Sequence, residues 1–196
     1  MQVQLDAESE RALVERCRKR DAQAFGKIVD AYQNRVHGYV RRFVRNGEEA
    51  LDVTQEVFIK AFQAFERFDG RSSLRTWLFR IAHNLCIDRA RKLDRSPSEL
   101  HLEDADEQGH EYDLPDETWN PEHRMIQGEL VQIVESAIAS MSEKLRSVLL
   151  LHDAEDMAYE EIAELMDLPV GTVKSRLFLA RNHIRTYVEN YRQEGY

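Results

Sequence analysis

The residues whose chemistry is easiest to interpret lie on a helix near the C-terminal end of the chain. From Val173 onward, apolar residues recur every three or four positions, which predicts a helix with one buried face. The opposite face carries Lys174, Ser175, Phe178 and Arg181. Cations suit phosphate groups, and a large ring among cations has no folding reason to be exposed. This face is typical of a helix that reads duplex DNA.

A shorter helix precedes this one, and a tight turn joins the two. Ile162 and Leu165 share one side of the shorter helix. Pro169 and Gly171 then interrupt the pattern, because proline disfavours a helical residue before it and glycine costs helix stability. The arrangement predicts a helix-turn-helix over residues 159–185. The alternative is an ordinary helical hairpin with a solvated basic face.

A second candidate surface lies on the helix predicted from Leu74 to about Lys92. Trp77, Arg80 and Asn84 fall on one side of it, at spacings of three and four residues. An indole beside a guanidinium and an amide suits stacking on unpaired bases together with phosphate neutralisation. Trp77 equally fits a half-buried core position, which is common for tryptophan. The preceding loop, 68–73, contains the glycine and hydroxyl residues that a pocket for an unstacked base requires, and one of its two serines is expected to cap the helix.

These elements belong to a chain with the composition of an all-α protein, because glycine and proline are scarce and helix formers are abundant. We predict two helical domains, 1–94 and 124–196, joined by an acidic flexible linker, 95–123. The linker holds ten acids, one base and three of the four prolines, without periodicity. It accounts for the net charge of −9, since acids and bases balance elsewhere.

The charges outside the linker are sorted into patches. Residues 71–95 and 170–188 are basic, whereas residues 48–66 are acidic, and separate patches predict separate partners.

Cys17 and Cys86 form no CxxC pair, which argues against a disulfide framework or a zinc site. The histidines show no metal-ligand spacing and no glycine-rich phosphate loop occurs. We therefore predict no catalytic residue, no metal, no cofactor and no enzymatic activity.

The chain also lacks the sequence features of membrane insertion and export. Its longest notable apolar run, 148–151, is far shorter than a membrane span, and the acidic N-terminal segment does not resemble a secretion signal. We expect a cytoplasmic protein with no membrane insertion of its own.

Three motifs carry a family resemblance. They are DVTQEVF at 52–58, TWLFRIAHN at 76–84 and PVGTVKSRL at 169–177. In this order and at these separations they resemble bacterial RNA polymerase sigma factors of the sigma-70 family. The chain is most similar to the extracytoplasmic-function (ECF) group, which has only the second and fourth sigma domains. The resemblance covers nearly the whole chain except the linker.

The resemblance implies a factor that binds core polymerase, recognises the −35 and −10 promoter elements and opens the DNA. It assigns docking on the β′ clamp helices to Asp52, Gln55 and Glu56. It assigns −35 recognition to Thr172, Lys174, Ser175, Phe178 and Arg181. It assigns −10 recognition and melting to Phe68, Gly70, Arg71, Ser72, Trp77, Arg80 and Asn84.

Further partners implied by the resemblance are the polymerase β flap and an anti-sigma factor. The linker resembles a segment threaded through the RNA exit channel, and the protein is expected at the nucleoid when in holoenzyme. Asp167 stands at a turn where relatives often have glycine, and aspartate tolerates the left-handed backbone that such a turn needs. Leu179 and Arg71 also depart from the family pattern, which leaves the promoter preference open. The alternative function is a conventional helix-turn-helix regulator that binds duplex DNA without polymerase.

Overall fold

The computed structural model describes residues 7–44, 46–95 and 121–195, and these residues contain helices and turns but no strand. The helices are α1 (Ala7–Arg18), α2 (Ala22–Arg41), α3 (Gly47–Ala64), α4 (Leu74–Arg95), α5 (Pro121–Ala139), α6 (Glu143–Leu149), α7 (Tyr159–Met166) and α8 (Val170–Gly195). A 3-10 turn, Phe65–Arg67, follows α3, and a π-helical turn, Leu150–Ala154, follows α6. The all-α prediction is confirmed. Most of the predicted linker lies outside the described residues, and α5 already begins at Pro121.

Side chains fix several helix starts by accepting hydrogen bonds from free backbone N–H groups. Asp21 accepts from the first N–H groups of α2 at 3.0 Å. Asn46 accepts from the N–H of Glu48 at 2.9 Å and so begins α3. Ser73 accepts from the N–H of Thr76 at 3.0 Å. Ser73 is therefore the serine that caps α4.

Helices α1–α4, which we call the N-terminal unit, pack around aromatic side chains. The ring centroid of Phe25 lies 5.0 Å from that of Phe62 and 5.9 Å from that of Phe65. Tyr39 meets Phe79 edge-on at 5.5 Å, a favoured aromatic geometry. The apolar stripes of the helices supply the rest of this core, including Ile28, Val36, Val53, Val57 and Leu78.

One histidine is buried in this core. The Nδ1 atom of His83 lies 3.1 Å from the Tyr39 hydroxyl oxygen. Burial lowers the pKa of His83 from 6.5 to about 4, because the charged ring loses its hydration, and the positive charge of Arg91 lowers the pKa further. The folded protein therefore holds this ring neutral over a pH range in which the unfolded chain is protonated.

We expect the free energy of unfolding to decrease as the pH falls from 6.5 to about 4, because the unfolded chain binds the His83 proton more tightly across this window. The loss amounts to about 3 kcal/mol. Denaturant titrations at several pH values measure it. The His83→Gln variant, which does not titrate, should show a weaker pH dependence. An identical pH dependence in the variant would contradict this role for His83.

Helices α5–α8, which we call the C-terminal unit, build their core around α8. Val173, Leu177 and Ala180 are buried, which confirms the apolar stripe predicted for this helix. Val148 of α6 and Ile162 of α7 are also fully buried. Helices α6 and α7 therefore cover one side of α8 and leave another side exposed.

The two units are in contact, and their buried side chains form one continuous apolar cluster. Helix α4 lies against α7. The guanidinium of Arg146 lies 5.5 Å from the ring centroid of Phe43 and donates to the carbonyl oxygen of Arg42 at 2.8 Å. No helix in the described part of the chain has the length and hydropathy that crossing a lipid bilayer requires.

Candidate nucleic-acid interface

The exposed side of α8 carries the side chains predicted to read DNA. Lys174 and Ser175 are exposed, and the Phe178 side chain is 65% exposed. Burying a phenylalanine typically stabilises a protein by about 1.5–3 kcal/mol, so folding gains little from this ring. An exposed ring between cations therefore indicates a binding surface.

The turn between α7 and α8 depends on a left-handed residue. Asp167 ends α7 with φ +53° and ψ +55°. The next N–H, that of Leu168, donates to the carbonyl oxygen of Ala163 at 2.9 Å. The prediction that aspartate sustains this turn is confirmed. The turn brings the exposed face of α8 to the surface as the second helix of a helix-turn-helix.

Polar contacts orient this face of α8. The Ser175 hydroxyl donates to the carbonyl oxygen of Thr172 at 3.0 Å. Lys174 places its Nζ atom 5.5 Å from the ring centroid of Tyr159. Arg181 is held by a carboxylate, since its Nε atom lies 3.2 Å from Asp153 Oδ2. Part of the positive charge of Arg181 is therefore already compensated within the chain.

The aromatic residues predicted near the −10 strand form a cluster. The ring centroid of Trp77 lies 5.3 Å from that of Phe65 and 4.9 Å from that of Phe68. Trp77 is half-buried, so it combines the core role with a partly accessible surface. Phe68 is only 5% exposed. The Phe68 ring packs against Trp77, and its part in −10 recognition stays a prediction.

A side chain from α1 holds the loop between the 3-10 turn and α4. Arg18 donates from Nε and Nη2 to the carbonyl oxygen of Phe68, at 2.9 and 2.7 Å. Gly70 follows with φ +76°, a backbone conformation that favours glycine. Arg71 is exposed and pairs with Asp69 at 3.0 Å, and Ser72 is half-buried. Arg18 was not predicted from the sequence, because no spacing rule links α1 to this loop.

The basic face of α4 is partly covered by α7. Asn84 is exposed, as predicted. Arg80 is half-buried and donates from Nη2 to the Glu164 carboxylate at 3.0 Å and to the Glu164 carbonyl oxygen at 3.3 Å. Arg75 donates to the Glu161 carboxylate at 3.2 Å. The sequence did not predict this cover, because α4 and α7 are far apart along the chain.

The acidic face of α3 is largely open. Asp52 and Gln55 are exposed, whereas Glu56 is paired with Lys60 at 3.2 Å and with Arg89 at 3.3 Å. Burial raises the pKa of Glu56, but hydrogen bonds from these two cations outweigh it, and the pKa lies below its ordinary value. The carboxylate therefore stays ionised.

Two apolar side chains on this face are not among the residues predicted from the sequence. Leu51 is 53% exposed and Ile59 is 56% exposed, and both lie four residues from Gln55. Residues at this spacing share one face of a helix. Their exposure could have been predicted from this spacing, because it places Leu51 and Ile59 on the side of Gln55 and not in the buried stripe. We call Leu51, Asp52, Gln55, Glu56 and Ile59 the α3 face.

Comparison with family models matches both units. Residues 28–96 match the model described as sigma-70 region 2, and residues 132–184 match the model described as sigma-70, region 4. The first range includes the α3 face and all of α4. The second range includes the helix-turn-helix.

Comparison with individual proteins agrees with the family models. The chain is 40% identical over 182 residues to the RNA polymerase sigma-H factor of Pseudomonas aeruginosa, covering 92% of this chain and 94% of that protein. It is 39% identical over 183 residues to the ECF RNA polymerase sigma-E factor of Haemophilus influenzae, covering 92% of this chain and 96% of that protein. Its fold is similar to that of the sigma factor RpoE of Bartonella quintana, solved in complex with the anti-sigma factor NepR. The TM-score is 0.66 at 22% identity, covering 86% of this chain and 98% of that one.

Proposed function

This chain belongs to the sigma-70 family of bacterial RNA polymerase sigma factors, in its ECF group, and we propose on that premise how its surfaces divide the work of initiation. A sigma factor directs promoter-specific transcription by binding core polymerase, recognising the −35 and −10 elements and opening the DNA. It is an initiation factor and not an enzyme. We assign core docking and recognition and melting of the −10 element to residues 1–94. We assign recognition of the −35 element to residues 124–196, and residues 95–123 link the two domains.

We propose that α8 lies in the major groove of the −35 element. Lys174 and Arg181 neutralise phosphates or contact guanine edges, and the Phe178 ring contacts a thymine methyl group. Thr172 and Ser175 lie near the start of the helix, where side chains of a recognition helix reach base edges. The observation that carries this assignment is the exposure of Phe178 between the cations.

We propose that Trp77 and the Gly70 loop receive a base of the −10 element. Unstacking a base costs a few kcal/mol. Stacking on an aromatic side chain returns about 1–3 kcal/mol per base, so capture balances much of that cost without ATP. Arg71 and Arg80 neutralise the strand, and Ser72 and Asn84 supply hydrogen bonds. Phe68 supports Trp77 from beneath.

We propose that the α3 face docks on the β′ clamp helices of core polymerase. Its acidic and amide groups suit a basic partner and steer association. Leu51 and Ile59 supply the apolar contacts that usually dominate the energy of an interface. Their exposure in the free chain supports this assignment, because neither side chain contributes its burial to folding.

We expect the double variant Leu51→Ala/Ile59→Ala to bind core polymerase about 10- to 100-fold more weakly, because truncating two interface side chains costs roughly 1–3 kcal/mol in all. Titration of core with labelled protein measures the affinity. Leu179→Ala is a matched control, since Leu179 is similarly exposed on α8. Equal losses in both variants would contradict docking by the α3 face.

We further propose two partners and a location from family membership. The C-terminal unit contacts the polymerase β flap, and an anti-sigma factor binds the chain when initiation is switched off. The fold similarity to a sigma factor solved with its anti-sigma factor supports the second partner. The protein acts in the cytoplasm, at the nucleoid when in holoenzyme. A regulator that binds duplex DNA without polymerase would leave the α3 face without a role.

Transcription in vitro tests the proposal. Bacterial core polymerase is combined with the protein and a pool of genomic fragments, and the start sites are mapped. We expect start sites that share one −35 and one −10 sequence and are absent with core alone. Failure of the protein to co-elute with core, or the same start sites with and without it, would refute the proposal. The double α3 variant at low concentration provides the negative control.

A further inference from the structure

Acidic side chains of the C-terminal unit lie on the first turns of α4, beside and over residues that we assign to the −10 strand. We call Arg75 and Arg80 of α4 the arginine face. Arg75 pairs with Glu161 at 3.2 Å and Arg80 pairs with Glu164 at 3.0 Å. Both carboxylates belong to α7, on the far side of the linker. The arginine face is therefore occupied by anions of the same chain.

The Glu161 carboxylate lies at the start of α4, among donors that suit an oxyanion. It accepts from the Thr76 hydroxyl at 2.8 Å and from the Arg75 guanidinium at 3.2 Å. A helix N-terminus with hydroxyl and guanidinium donors is a favourable site for an oxyanion. Burial raises the pKa of Glu161, but the hydrogen bonds from Ala158 and Thr76 and the charge of Arg75 outweigh it. The group stays ionised and competes directly with a phosphate.

Four ion pairs between the units share one polarity. Besides the two pairs on α4, Arg35 pairs with Glu155 at 2.7 Å, and Arg42 pairs with Glu135. In each of these four pairs the arginine belongs to the N-terminal unit and the glutamate to the C-terminal unit. Such complementarity steers the two units toward one orientation.

Glu155 anchors the contact. Its side chain is only 7% exposed, and the backbone carbonyl oxygen of the same residue accepts from Arg75 at 2.9 Å. The π-helical turn before it and the left-handed Asp156 after it set the position of this residue, with Asp156 at φ +56°. The arginine face is thus tied to α7 and to the turn that precedes it.

We propose that α7 masks the arginine face, and with it part of the −10 surface, in the free chain by acting as an anionic stand-in for the DNA backbone. This inference rests on the proposed role of α4. The face of α8 that carries Phe178 stays exposed in the same arrangement, so only one of the two DNA surfaces is masked. The pairs on α4 are partly exposed, and such pairs are worth about 0–1 kcal/mol each, so a competing strand and polymerase displace them reversibly.

The test uses the full chain with Glu161→Gln/Glu164→Gln. Two spin labels, on Lys27→Cys and Asn190→Cys at exposed sites of α2 and α8, report the distance between the units. Burial raises the pKa of Cys17 to about 11 and of Cys86 to about 12, so the native thiols react slowly. A single-stranded oligothymidylate of about 12 nucleotides probes the −10 surface. Glu160→Gln/Glu189→Gln removes the same charge at exposed positions and is the matched control.

We expect the variant to show a longer mean distance and roughly tenfold tighter binding of the oligothymidylate than the control variant, because two ion pairs are lost. An unchanged distance would overturn the masking contact. A longer distance with unchanged binding would overturn the role of the contact in masking DNA. Start-site mapping with core polymerase distinguishes failure of the masking proposal from failure of the proposed function. If masking fails but the variant still initiates at the same start sites, the proposed function is retained.

Discussion

Truncating Lys174 and Phe178 to alanine together is expected to lower −35-dependent initiation about 100-fold, while affinity for core polymerase is unchanged. The lysine supplies a charge and the exposed phenylalanine an apolar contact to base edges. Each specific contact of this kind is worth about 1–3 kcal/mol. Transcription from a promoter with both elements, at saturating core, measures the effect. Neither side chain is buried, so the folding stability should be preserved.

Asn190→Ala is the matched control for this pair. Asn190 is exposed on the same helix, several turns beyond the residues assigned to the −35 element. It should initiate like the parent protein. Loss of core binding by the double variant would contradict the assignment of α8. The assignment would also fail if scrambling the −35 element changed transcription neither with the parent protein nor with the double variant.

Trp77→Ala is expected to reduce open complexes about 10- to 100-fold at equal promoter occupancy. Stacking on an aromatic side chain contributes about 1–3 kcal/mol per base, and alanine removes that contribution. Permanganate reactivity of unpaired thymines measures opening, and a footprint of the duplex measures occupancy. A permanganate pattern that stays unchanged, in a variant shown to be folded, would count against capture by Trp77.

The Trp77→Ala substitution is also expected to lower the free energy of unfolding. The Trp77 ring packs on Phe65 and Phe68, so its removal also destabilises the N-terminal unit. Trp77→Phe keeps a ring over this cluster and should retain more opening than alanine. Asn84→Ala changes an exposed amide without loss of packing, and it should weaken base selection while the free energy of unfolding stays the same.

Local patterns predicted most of the elements. The serine before α4 specifies where that helix begins, the apolar stripe of α8 specifies which side is buried, and the structure agrees. Asp167 was predicted to sustain a left-handed turn, and it does. These outcomes follow from interactions within a few residues, so a sequence window contains the information they need.

Surface roles were harder to predict, because exposure depends on partners distant in sequence. Phe68 is adjacent to a polar loop, yet it is buried by Trp77 and Phe65. Leu51 and Ile59 lie on an amphipathic helix, yet they remain exposed. Arg18 acts through a backbone carbonyl of the loop after α3, a contact that no side-chain motif encodes.

The sequence by itself determined that the chain is all-helical, that it contains a helix-turn-helix, and which types of side chain lie on each helical face. These features follow from 3.6-residue periodicity and capping, which are local properties. Only the tertiary structure decided that the carboxylates of α7 lie on the arginines of α4. Charges of opposite sign in a sequence indicate which ion pairs are possible, but not which ones form. Which of them meet depends on how the apolar faces of both units pack, and that is a property of the whole fold.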